Sequence, residues 1–171
     1  MIAPLPGQSA AVVLYNLKHP SPAEPVQGKI SLGDYKNAAA LLNGNAAEAY
    51  ASIPAEGIAA YSAEGGCALT PAQPDLDVKL TGFKDRLFIM APIVRGWAVI
   101  GRGDKFLSPC ALAAAPEYGA DSLRFRVKVV VWRGKSPVKA GNVPVKNLGN
   151  GFYELQFPVS DRPLDVTVTA E

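Results

Sequence analysis

Short apolar runs, each cut off by glycine, proline or an Asn-Gly or Gly-Asp pair, recur from one end of this 171-residue chain to the other. Strands in globular proteins are this short, whereas stable helices usually run longer. No long amphipathic stretch is present to form the crossover that parallel strands require. The pattern therefore points to an all-β fold: an antiparallel β-sandwich of about nine or ten short strands spanning residues 1–171 as one domain.

The runs can be placed individually. Ala10–Leu17 is closed by His19-Pro20-Ser21-Pro22, a turn-forming cluster. Val26, Ile30 and Leu32 share a parity, with Gln27, Lys29 and Ser31 between them, and Gly33-Asp34 ends that strand. Tyr35–Tyr50 is rich in alanine and is the one segment suited to a helix. Asn43-Gly44-Asn45 interrupts it, leaving a turn or two on either side. Ile58–Ser62, Val78–Leu80, Leu87–Ile93 and Trp97–Ile100 follow as strands, the last two joined by Val94-Arg95-Gly96 as a hairpin. Residues 71–77 resemble a linker, but each side alone is small for an independent core.

Leu123–Trp132 is the clearest run, with Leu123, Phe125, Val127, Val129 and Val131 on one face and Arg124, Arg126 and Lys128 on the other. Val143–Val145, Phe152–Phe157 and Leu164–Val168 complete the series, and Asn150-Gly151 marks a hairpin turn.

The apolar fraction of 49% and charged fraction of 19% belong to a folded chain, read here as soluble. No apolar stretch approaches the roughly 20 residues of a membrane-spanning helix, and no membrane partner is expected. The first residues, Met1-Ile-Ala-Pro-Leu-Pro-Gly7, lack the basic flank and apolar segment of a secretory signal. The compartment is left open. Residues 1–81 carry four basic and seven acidic side chains, net −3, and residues 82–171 carry thirteen and eight, net +5. The basic residues of the second half are scattered rather than clustered, so no nucleic-acid partner is expected. Cys67 and Cys110 are read as buried thiols, since two cysteines do not make a disulfide scaffold in a domain this large.

A search for catalytic chemistry finds no constellation. His19 is the only histidine, sits among prolines, and has no Gly-x-Ser-x-Gly elbow to serve. One histidine and two distant cysteines do not build a zinc site. Asp75 and Asp77 lack the further acids and glycine of a calcium loop. No pair among the fifteen carboxylates is marked by context as a glycosidase pair. Arg102-Gly103-Asp104 has the tripeptide of some adhesion ligands, but its glycines equally suit a tight turn. Neither a catalytic residue nor a cofactor or metal is therefore expected. Aromatic rings can stack on the apolar face of a sugar, and most here lie in strand patterns where packing is the better reading. Tyr118, in the loop-like Ala-Pro-Glu-Tyr-Gly-Ala, and Trp132, beside Arg133-Gly134, are the candidate carbohydrate-binding residues.

Several segments together resemble a known pattern. Ala11–Leu17 with Asn16, then Val26–Leu32 running into Gly33-Asp34, is similar to the opening of C-terminal β-sandwich domains in alpha-galactosidase and raffinose-synthase-like glycoside hydrolases. Leu87–Ile93 followed by Gly96–Gly101, and then Lys105-Phe-Leu-Ser-Pro109, resemble later stretches of the same domains. The resemblance covers residues 10–132 and implies a sandwich that packs beside a catalytic barrel and carries no catalytic residue itself. A barrel needs about 250 residues, which this chain does not have. The expected function is a non-catalytic accessory module of carbohydrate-active enzymes, supporting a glycosidase or binding glycan weakly. Its partner would be a glycosidase catalytic domain or a glycan. The alternative is a structural or interaction protein acting through an exposed sheet face or edge, with oligomeric state left open. An unrecognised small enzyme is a third reading.

Overall fold

A computed structural model describes residues 1–17, 24–101, 116–126, 130–132, 138–156 and 165–170. The chain is mostly antiparallel strand, as its punctuated apolar pattern requires. Strands β1 (Ile2–Leu5) and β2 (Ser9–Tyr15) form a hairpin around Pro6-Gly7-Gln8. β3 (Val26–Ser31) runs directly into α1 (Leu32–Asn37), a 3-10 turn (Ala38–Leu41) and α2 (Gly44–Ala51). There follow β4 (Ile58–Ser62), β5 (Gly65–Leu69), β6 (Asp75–Leu80), β7 (Asp85–Pro92) and β8 (Ala98–Gly101). The second half contains β9 (Glu117–Tyr118), β10 (Ser122–Arg126), β11 (Val130–Trp132) and β12 (Val138–Lys139). β13 (Val145–Gly149), β14 (Phe152–Leu155) and β15 (Asp165–Ala170) complete it.

The strands form three sheets and a ribbon, with orders β1-β2-β7-β4-β5, β13-β14-β11-β8 and β12-β15-β10-β9, and the ribbon β3-β6. Burial stacks them in four layers. Ala10, Val12, Ile58, Ala60, Phe88 and Met90 on one face of the five-stranded sheet meet Ile30, Val78 and Leu80 of the ribbon, with Leu32, Tyr35, Ala38 and Tyr50 of the helical segment. The opposite face presents Ile89 with Ala11, Ala59 and Ala91, and the three alanines leave room for Ala98, Ile100 and Phe152 of the next sheet. That sheet is buried on both sides, because Val99, Tyr153 and Leu155 on its far face meet Leu123 and Val168 of the last sheet. The two outer faces are polar: Gln27, Lys29, Asp77 and Lys79 on the ribbon, and Thr167 and Thr169 on the last sheet, are all exposed.

Pairing in the two halves follows one plan. β2 pairs with β7 and β3 with β6, and likewise β10 pairs with β15 and β11 with β14. The orders β1-β2-β7-β4 and β9-β10-β15-β12 are the same when eight is added to each strand number. Three-residue turns join β1 to β2 and β9 to β10. The β5–β13 correspondence departs from this plan: β5 pairs with β4, whereas β13 pairs with β14. β8 has no counterpart in the first half and pairs with the outer side of β11. The chain is thus two nested-hairpin units, residues 1–92 and 116–170, with β8 between them.

The structure departs from several local expectations. Fifteen strands are present among the described residues rather than nine or ten, because many are two to five residues long. Leu123–Trp132 is not one strand: β10 and β11 belong to different sheets, so the shared period of two runs through a change of layer, with 127–129 outside the described residues. Arg95 and Gly96, at φ of 52° and 74°, do make a tight turn closed by the Val94–Trp97 bridge. β7 and β8 nevertheless diverge into separate sheets instead of forming a hairpin ladder. The helical segment is longer than expected at its start, since Ser31 caps α1 and exchanges hydrogen bonds with Asp34 in a capping box. Residues 70–73 are a tight turn between β5 and β6.

Candidate functional site

Tyr118 lies on the edge strand β9, paired with Leu123, and is not in a loop. Its ring is half-buried against the second core, and burial pushes its phenol up to about 12. Its carbonyl oxygen accepts a hydrogen bond from Arg95 Nη1 at 3.2 Å. Trp132, placed by its backbone, lies on β11 opposite Phe152 and Ala98, in a different sheet from Tyr118. Because its side chain lies outside the described part, a platform shared with Tyr118 has no support here. His19, Cys110, Arg102-Gly103-Asp104, Lys105–Pro109, Lys128, Arg133-Gly134, Phe157 and Leu164 lie outside the described residues.

Among the described residues two rings, Tyr15 and Phe83, are exposed, with Leu17 beside Tyr15 in sequence. Tyr15 is 50% exposed, Leu17 83% and Phe83 66%. Asn16 brings them to one end of the five-stranded sheet. Its side chain is buried and donates from Nδ2 to the Gly82 carbonyl at 2.6 Å, while its backbone N–H donates to the Lys84 carbonyl at 3.1 Å. Gly82 takes φ of 72°, which a side chain would resist, and so lets the loop turn back to strand β7. Tyr15 itself registers with Asp85. The loop carrying Phe83 is therefore held against the end of β2 by one side-chain and one backbone bond from Asn16, with its ring left to solvent.

A second surface lies between α2 and the β1–β2 hairpin. Pro4, Leu5, Pro6, Leu42, Ala46 and Tyr50 line an apolar groove of about 500 Å³. Its base is rigid: the Tyr50 hydroxyl lies 2.7 Å from the Leu5 carbonyl and 2.6 Å from that of Ser9. The Tyr35 hydroxyl donates to Gln8 at 2.8 Å, and the two rings pack at 5.2 Å. Burial raises both phenols, so they act as hydrogen-bond donors and not as bases.

Reactive groups are sparse among the described residues. No three His, Cys, Asp or Glu side chains converge to hold a metal. Asp75 is ion-paired with Lys29 at 3.0 Å, and Glu64 with Arg86. Cys67 is a free, half-buried thiol on β5 whose acidity burial suppresses, which makes it a poor nucleophile. No described helix is long and apolar enough to cross a membrane. Sequence reasoning counted Tyr15 as a packing residue and passed over Phe83. The missed signal was Thr81-Gly-Phe-Lys84, a glycine turn carrying an aromatic ring. No protein-family model, curated protein or solved structure matches the chain.

Proposed function

We propose that this protein is a non-catalytic β-sandwich binding module of the carbohydrate-associated kind, contacting glycan weakly through Tyr15 and Phe83 and serving a catalytic domain carried elsewhere. The observation that carries the reading is the exposure of those two rings on a backbone fixed by Asn16. An exposed aromatic face suits the apolar face of a pyranose. Rigid loops reduce the ordering cost of binding. The test is a thermal-shift screen against galactosides, glucosides and other oligosaccharides, since a ligand that binds only the folded state must raise its melting temperature.

The apolar groove beside α2 favours a second reading, an interaction protein. In that case no sugar shifts the melting temperature, and a defined oligomer or protein complex carries the function instead.

A further inference from the structure

We propose that the outer edge of β3 is a strand-acceptor site, which takes an extended, alternately apolar peptide segment antiparallel to Gln27–Lys29. The repeated plan of the two units supplies the reasoning. β11 in the second unit corresponds to β3 in the first, and the chain fills the outer edge of β11 with its own β8, through the pairs Val130–Gly101, Val131–Val99 and Trp132–Ala98. Among the described residues, β3 pairs with β6 alone.

The ladder shows which groups face outward. The Leu32 N–H donates to the Pro74 carbonyl at 3.0 Å, so the residues of the same parity, Val26, Gly28 and Ile30, bond to β6. Gln27 and Lys29, both exposed, therefore turn their N–H and C=O groups away from the ribbon. The next such N–H, that of Ser31, is taken by Asp34 Oδ2 at 2.7 Å and closes the edge. Two residues with four backbone groups remain to receive a strand. The Lys29 ammonium is held by Asp75 across the ribbon, where it does not cover this edge.

The first strand of the chain shows what a guarded edge is like. Met1 and Val13 exchange hydrogen bonds of 3.0 and 2.8 Å, so Ile2 and Pro4 turn outward on β1. Pro4 has no N–H to offer, which blunts that edge. No proline does so within β3.

The chemistry of the occupant follows from the layers. β8 is apolar on both faces because both are covered. A strand beside β3 would have one covered face, toward half-buried Leu14, whose Cδ1 lies 3.7 Å from where a Gly28 Cβ would be. Its other face would continue the charged outer surface of the ribbon. The fitting partner is thus an extended segment with apolar residues at alternate positions and polar ones between.

Amide hydrogen exchange on the whole chain tests this, using a capped Lys-Val-Thr-Val-Thr-Val-Lys peptide as probe. In the free protein, Gln27 and Lys29 amides should exchange faster than those of Gly28 and Ile30. Millimolar peptide should slow Gln27 and Lys29 by about tenfold or more. The variant Gln27→Pro, which removes one outward N–H, should weaken the peptide's protection of the Lys29 amide while the core amides of Val12 and Phe88 stay protected. If Gln27→Pro does not fold, Lys29→Pro, read at the Gln27 amide, serves the same purpose. The proposal is overturned if the two amides are already as protected as their neighbours. It is also overturned if the peptide leaves them unchanged or protects a different edge.

Discussion

Glu56 holds Gly96 by a 2.6 Å hydrogen bond from the Gly96 backbone N–H to carboxylate Oε2, and its Oε1 accepts the Arg95 N–H, also at 2.6 Å. Both donors belong to a turn with positive φ, where successive N–H groups converge on an anion. The turn is where the chain leaves the first unit, and the Arg95 side chain then reaches Tyr118 of the second. One carboxylate on the loop before β4 therefore fixes the exit of β7 and, through it, the start of the second unit.

Replacing Glu56 by Ala should remove two charge-assisted bonds from this junction. The site is exposed and water replaces part of the loss, so the expected cost is about 1 kcal/mol, below the roughly 1.5–3 kcal/mol usual for bonds to charged groups. Urea denaturation measures it. Glu56→Gln, which keeps a single acceptor oxygen, should lose about half as much. An unchanged midpoint in both variants would show that the turn holds itself.

Gly66 on β5 is packed too closely for a side chain. A Cβ there would overlap the Ala60 carbonyl oxygen and lie 2.9 Å from the Phe152 ring, the aromatic that joins the two units. Gly66→Ala should cost about 1–3 kcal/mol, the usual range for overpacking. Gly66 does not take positive φ, so this loss is one of packing; Gly141→Ala, at φ of 56° with nothing within 4 Å, measures backbone strain by itself. A loss below about 0.5 kcal/mol in Gly66→Ala would refute the packing account.

Burial pushes the Tyr118 phenol up to about 12 from an ordinary 10.0, and raises those of Tyr35, Tyr50 and Tyr61 as well. Each is neutral when protonated and its folded value lies above the unfolded one. Their contribution to stability is therefore whole below pH 10 and is lost as pH rises from 10 through about 12. Stability followed by urea midpoint should fall steadily over that window, and Tyr118→Phe should flatten part of the fall. A flat profile from pH 10 to 11.5 would contradict the burial assigned to these rings.

Much of the strand inventory was legible because alternation and turn chemistry are local. Val26 and Ile30 do face the core with Gln27 and Lys29 outside, and Asn150 and Gly151 do take positive φ, at 52° and 82°, between β13 and β14. Layering was not legible. A chain that passes from β10 to β11 keeps its period of two, so nothing local reports that it has changed sheets. The same holds for Arg95-Gly96, a hairpin-like turn whose strands separate because Ala98 and Ile100 bury against the face of the first sheet.

The exposure of Tyr15 and Tyr118 differs from the sequence pattern for a related reason. Tyr15 sits at the end of an apolar strand and so reads as core, yet it lies on the Ala11 face, where the strand outruns the sheet of β8 and β14 that covers it. Tyr118 sits among loop-forming residues and so reads as exposed, yet its two-residue strand pairs with Leu123 and turns the ring onto the second core. Exposure depends on what lies opposite, which is a property of the assembled layers.

The most direct measurement is the thermal-shift screen against common oligosaccharides, run on the native chain and on Tyr15→Ala and Phe83→Ala. The account predicts a reproducible rise in melting temperature with one sugar class, reduced at least about fivefold in apparent affinity in each variant, as loss of a stacking ring worth roughly 1 kcal/mol requires. No shift with any sugar, or a shift that both variants retain in full, would contradict it.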